Sequence, residues 1–201
     1  SLSPSDHPVD KLYGPLTAGQ TSLTGFVDKL STIPLRFDPG TNWCYSLATD
    51  VCGALVEIIS GQPFSEFLGE RLFEPLDMSD TSFTISDEKV QRLAANYERD
   101  QDKNLVLVDD PVESIYADTR RLQSGGGGLL STTADYAKFC EMLLGGGKYN
   151  GCRIIGDRTL KMMCQNHLPM NADLASVAMG SFSETAYEGV GFGLGFASTL
   201  S

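Results

Sequence analysis

Apolar positions recur along this chain with two periods, and the places where the period changes mark its elements. A short helix is predicted over Leu23–Leu30, opened by Thr21 or Ser22 and closed before Pro34. After the turn RFDPG (36–40) comes the clearest helix: Leu47, Val51, Leu55, Ile58 and Ile59 recur at helical spacing, with Asp50 and Glu57 facing elsewhere. Gly61 is placed to stop it as a left-handed residue. Pro63 suits the first turn of a further helix, with Phe64, Phe67, Leu68 and Leu72 on one face, ending before Pro75. Thr132-Thr133-Ala134-Asp135 reads as a capping box, opening a helix with Tyr136, Phe139, Met142 and Leu143 on its apolar face and Gly145 at its end. A short strand at 153–155 and a helix at 157–166 follow.

At 189–197 the period drops to two. Val190, Phe192, Leu194 and Phe196 point one way, with Gly191, Gly193 and Gly195 between them. This predicts one strand with a bare face for close packing, whose cover is expected outside the chain. Residues 1–20 read as loop, and 84–123 as loops and short strands such as the run 105–108.

Composition narrows the class. The 201 residues, 41% hydrophobic and 20% charged, are ordinary for a globular domain with a real core. No apolar run approaches the roughly 18–20 residues that cross a bilayer, so no membrane partner is expected. The net charge of −11 and scattered basic residues count against a nucleic-acid groove. Five cysteines (44, 52, 140, 152 and 164) show no C-x-x-C spacing, and only two histidines are present, so neither metal nor cofactor is expected. Such unpatterned cysteines fit buried free thiols in a reducing compartment, which favours a cytoplasmic setting. The polar, Pro-rich N-terminus is not a signal peptide.

Tyr45 is the first candidate for chemistry, at the start of the clearest helix and just after a Pro-Gly turn. A phenol titrates near ~10 and serves as a general base only where cations lower that value. The partial positive charge of a helix N-terminus acts in that direction. Position alone favours an ordinary half-buried aromatic beside Trp43. The glycines at 125–128 fail as a phosphate cradle, because Leu129-Leu130 stand where Lys and Ser/Thr are required. On their own they read as a flexible loop. Ser46 has no evident activating base, Asp135 reads as a cap, and His167 as a surface or cap residue.

A longer ordered pattern surrounds Tyr45. F-x-P-G-T-x-W-x-Y-S-x-A-x-D-V-x-G is followed by P-F-x-x-F-L-x-x-R-L-F-x-P-L-x-M-x-x-T-x-F, running from Phe37 to Phe83. S-G-G-G-G-L-x-S-T-x-x-D-Y-x-x-F (124–139) and G-F-G-L-G-F (191–196) come later. Together these resemble the β-lactamase-related serine hydrolases: class C β-lactamases, DD-peptidases, family VIII carboxylesterases and related acyltransferases. The resemblance implies an α+β, β-lactamase/transpeptidase-like fold, with this chain holding mostly the helical lobe and one strand of the antiparallel sheet. It also implies acyl transfer through an acyl-serine on a small ester, amide or β-lactam substrate. Tyr45 matches the tyrosine of the family's second motif, and Leu47, Gly125, Gly126 and Gly127 are substrate-cleft candidates; the resemblance makes the glycine run a close backbone approach at the cleft wall, the alternative to a flexible loop.

Two departures matter. Leu47 stands where an asparagine is usual, and an aliphatic side chain there is similar to the carboxylesterase and acyltransferase branches. The only S-x-x-K, Ser86–Lys89, lies after the tyrosine in a polar loop and is read as chance; no K-T-G or H-x-G occurs. Residues 1–201 are therefore expected to be the central part of such a domain, without its S-x-x-K region or its C-terminal motif, and the remainder of the same polypeptide is expected to complete the fold. The alternative is a non-catalytic pseudoenzyme or binding module on the same scaffold.

Overall fold

A computed structural model of the chain describes residues 7–13, 16, 19–179 and 187–200. Within the predicted N-terminal loop, Asp10–Leu12 forms a single 3-10 turn, and buried Asp10 pairs with Arg36 at 3.0 Å. Helix α1 (Leu23–Leu30) starts as predicted, because extended Ser22 accepts the Gly25 N–H on its hydroxyl at 3.3 Å. Strand β1 (Trp43–Cys44) leads into α2 (Ala48–Ser60), which Gly61 closes at φ 71°. Helix α3 (Phe64–Leu68) follows, with Pro63 just before it rather than inside its first turn. It runs on as a π turn, Gly69–Phe73, in which the Glu74 N–H reaches the Gly69 carbonyl.

The packed face of α2 is not the one its hydrophobic period marks. Leu55, Ile58 and Ile59 are 49%, 66% and 82% exposed, whereas Asp50, Gly53 and Ala54 are buried. Size explains the reversal. A Cβ on Gly53 would lie 3.0 Å from Leu23 Cδ1 and 3.4 Å from Gly125 Cα, so only the small-residue face admits α1 and residue 125 at this distance. Leu23, Ala54, Phe64 and Phe83 form one core cluster; Phe73, Leu76, Met78 and Met142 form a second. Leu68 packs against both. Each fully buried apolar side chain of this kind contributes about 1.5–3 kcal/mol.

In the mixed region, β2 (Asn96–Arg99) and β3 (Leu105–Asp109) pair antiparallel. Helix α4 (Thr133–Leu144) is capped by Thr132, whose hydroxyl accepts the Asp135 N–H at 3.1 Å. The reciprocal half of the predicted capping box is spent elsewhere. Asp135 accepts from the Asp80 N–H (2.8 Å) and the Thr81 hydroxyl (3.0 Å), tying α4 to the 80–81 turn. Strands β4 (Lys148–Tyr149) and β5 (Cys152–Arg153) form a hairpin, and the predicted strand at 153–155 stops early because the Ile154 and Ile155 N–H groups both turn to the Gly147 carbonyl.

Helix α5 (Asp157–Met163) ends before 166, since Asn166 is drawn into side-chain bonds with the Ala172 carbonyl (2.9 Å) and the Phe192 N–H (3.0 Å). After α6 (Leu174–Val177), β6 (Ala178–Met179) runs parallel to β1. The single strand expected at 189–197 is instead a hairpin, β7 (Val190–Phe192) and β8 (Ala197–Thr199), turned where the Gly193 N–H meets the Phe196 carbonyl at 2.7 Å. Its bare face is covered from within the chain: a Cβ on Gly191 would lie 2.5 Å from Asn166 Oδ1, and one on Gly193 2.1 Å from the Met163 carbonyl oxygen.

Among the described residues, helices beside four two-stranded ladders make the α+β arrangement expected. Among the described residues, no helix is long and apolar enough to cross a membrane. All five cysteines are unbridged, but Cys52 and Cys164 are exposed rather than the buried packing thiols expected.

Candidate functional site

Strand β1, the first turn of α2 and the segment 121–128 enclose an open cleft of about 620 Å³. Trp43 and Phe192 stand edge to face at one side of it, ring centres 5.1 Å apart, so β1 is held against β7 as well as β6. Tyr45, Leu47, Gly125, Gly126 and Gly127 all line this cleft, although the glycines follow the other two at long range in sequence.

Tyr45 precedes α2 rather than opening it, and is 38% exposed. Leu47 occupies the N-cap position of α2 with no side-chain cap bond. Ser46 offers that bond in its place, its hydroxyl accepting the Ala48 N–H at 3.3 Å. The two readings of the glycine run divide between its members. A Cβ on Gly125 would lie 2.1 Å from the Thr49 carbonyl oxygen and one on Gly126 2.8 Å from the Thr49 hydroxyl, whereas Gly127 has open space around it. Gly125 and Gly126 are thus a close backbone approach to the start of α2.

Sequence reasoning missed what clamps that approach. Buried Asp50 accepts the Ser124 hydroxyl at 2.5 Å, and Ser124 in turn accepts the Gly126 N–H at 3.0 Å. A carboxylate out of water is costly unless it is hydrogen-bonded, and the serine supplies that bond. The signal was a polar residue inside the ordered motif, at a position that periodicity assigned to the outer face. Arg121 was also missed: it lines the cleft with its guanidinium 4.3 Å from the Tyr116 ring centre. Asp50 and Arg121 are the charged side chains of the lining. Nearby, burial pushes the Tyr13 phenol above its ordinary value, with Asp10 and Cys44 adding to the effect.

The Ser86–Lys89 match forms no nucleophile–amine pair. Lys89 Nζ bonds the Ser79 carbonyl at 2.6 Å and Asp80 at 2.8 Å. His167 is exposed and bonds backbone at Phe192 and Met162, as a cap would. Among the described residues, no group of three or more His, Cys, Asp or Glu is placed to hold a metal ion.

A family model described as Beta-lactamase matches residues 4–199. Protein Rv1367c of Mycobacterium tuberculosis is 32% identical over 187 residues, which are 93% of this chain and 45% of that protein. Lovastatin esterase of Penicillium rubens is 29% identical over 185 residues, covering 87% of this chain and 45% of the relative. Among solved structures, EstCE1, a hydrolase with promiscuous acyltransferase activity, superposes with a TM-score of 0.74 at 26% identity, over 99% of this chain and 52% of that one. The chain thus spans about half the length of the relatives it matches.

Proposed function

The chain belongs to the beta-lactamase family, and from that premise we propose that residues 1–201 are the central part of a serine hydrolase or acyltransferase acting on ester bonds through an acyl-serine. The observation that carries this reading is the convergence of Tyr45, Leu47 and the glycine run on one cleft. In the proposed reaction, a serine outside residues 1–201 attacks the ester carbonyl carbon and gives up its hydroxyl proton to a neighbouring amine, which returns it when the serine oxygen leaves. Tyr45 passes a proton to the departing alkoxide, which leaves as alcohol. Water or a second alcohol then attacks the acyl-serine, yields its proton to Tyr45, and the serine oxygen recovers one as it leaves.

Leu47 supports esters over β-lactams, because an aliphatic side chain has no donor for a lactam's amide group. The neighbours named as an esterase and as a hydrolase with acyltransferase activity support the same substrate class. Leu47 also favours a second reading, a non-catalytic domain that keeps the cleft for binding.

The test is turnover of 4-nitrophenyl butyrate by residues 1–201 and by the full-length polypeptide. The full-length protein is expected to hydrolyse it, with a loss of about 10²–10⁴-fold in Tyr45→Phe, and residues 1–201 are expected to be inactive. Robust turnover by residues 1–201, abolished in Tyr45→Phe, would overturn the placement of the nucleophile outside them. A full-length protein that neither hydrolyses the ester nor reacts with a fluorophosphonate would leave the binding reading standing.

A further inference from the structure

We propose that Arg121 is a specificity-determining residue of the cleft that binds a carboxylate on the substrate, so that the preferred esters are anionic. The inference rests on the cleft being a substrate site, and it concerns a residue to which the catalytic reading assigns no part.

Three observations carry it. First, the guanidinium is fixed but unspent. It lies over the Tyr116 ring at 4.3 Å, and stacking on an aromatic face leaves the edge N–H donors of an arginine available for a bidentate partner. Among the described residues, no carboxylate lies within ion-pair distance of it and no acceptor bonds its guanidinium. The neighbouring Arg120 differs, being held by Asp118 at 3.0 and 3.2 Å.

Second, the charged end reaches the cleft wall, although Arg121 also borders the neighbouring hollow formed with Thr119 and Gln123. Nη2 lies 3.9 Å from where a Cβ of Gly128 would stand, and Gly128 belongs to the same cleft wall as the glycines packed on Thr49. Third, the other charge of the lining is engaged. Asp50 is buried and held by Ser124, and Asp118, whose carboxyl feels Arg121, is not part of the lining, so the half-buried Arg121 is the cation this wall presents to a ligand. One guanidinium without a second cation matches a monoanionic carboxylate better than a phosphate dianion.

The experiment compares 4-nitrophenyl hydrogen glutarate with its methyl ester on the full-length polypeptide. The ratio of kcat/KM, acid over methyl ester, is expected to exceed one and to fall at least tenfold in Arg121→Gln, through KM rather than kcat. Arg121→Lys, which keeps the charge but not the fork, recovers part of the ratio, which a mere packing role on Tyr116 would not produce. An unchanged ratio in Arg121→Gln, or a ratio below one in the unaltered protein, overturns the inference while leaving the hydrolase reading intact.

Binding is read separately from turnover through Trp43, the single tryptophan, which lines the cleft. Monomethyl glutarate is expected to change Trp43 fluorescence saturably in residues 1–201, and dimethyl glutarate not to; Arg121→Gln abolishes the difference. If neither ester is turned over but this difference is seen, the Arg121 assignment stands and the hydrolase reading falls. If neither ligand changes the fluorescence and neither ester is turned over, the assignment falls as well.

Discussion

The Ser124 hydroxyl donates to the buried Asp50 carboxylate at 2.5 Å, joining residues 74 positions apart in sequence. The bond ties the first turn of α2 to the glycine segment, and with it both walls of the cleft. Hydrogen bonds to charged groups contribute about 1.5–3 kcal/mol, and a buried acceptor left unpaired costs its desolvation. Ser124→Ala is therefore expected to destabilise the chain by about 1.5–3 kcal/mol in urea unfolding. An unchanged midpoint would show that the pair contributes nothing to the fold.

The close approach at Gly125 predicts a sharp contrast between neighbours. Gly125→Ala would drive a methyl group to 2.1 Å from the Thr49 carbonyl oxygen, whereas Gly127→Ala meets nothing within 4 Å. Overpacking of this kind costs about 1–3 kcal/mol. Thermal unfolding should show a clear loss for the first substitution and almost none for the second. Equal effects would mean that the segment yields without strain.

Asp80 predicts a pH dependence. Hydrogen bonds from Arg92 and then Lys89 hold its carboxyl well below the usual carboxylate range. A group whose folded value is depressed stabilises the fold above its unfolded value of roughly 3.9, and that contribution is lost as pH falls through the folded value. The Tm difference between the unaltered chain and Asp80→Asn should hold level from pH 7 to about 4 and shrink below it. A difference that grew on acidification would reverse the sign and refute the ion-pair account.

The exposed aliphatic face of α2 predicts different behaviour in the two lengths of protein. If the rest of the polypeptide covers Ile58 and Ile59, then Ile58→Lys with Ile59→Lys should leave the Tm of residues 1–201 nearly unchanged. The same pair should destabilise the full-length protein by several kcal/mol, as burying charge without a partner does. Equal tolerance in both would mean that this face stays in water.

Elements set by local chemistry were legible in the sequence. Ser22 and Thr132 cap their helices and Gly61 ends α2, because each acts on backbone groups within a few residues. What failed were inferences from hydrophobic rank. The leucine and isoleucine stripe of α2 outranks Gly53 and Ala54 on any apolar scale, yet close packing selected the small residues. Strict alternation through 189–197 is the same for a strand as for a hairpin with a glycine turn, so period alone could not separate them. For the cleft, the ordered motif supplied Tyr45, Leu47 and the glycines as candidates that meet in space. Asp50 and Ser124 depend on a partner brought in by tertiary contact, which no local window contains, whereas Arg121 stacks on Tyr116 only five residues away and was missed because spacing alone does not mark a stacked cation.

The parallel ladder of β1 with β6 has a consequence for how the molecule assembles. It joins Trp43 and Cys44 to Ala178 and Met179 across most of the chain, with only a two-residue register to hold it. Closing so long a loop costs entropy before any contact repays it, so such pairings form late in folding, whereas the capped helices form early. Trp43 should then report the slowest kinetic phase, and a chain emerging from the ribosome acquires its cleft only after nearly all of these residues have been made.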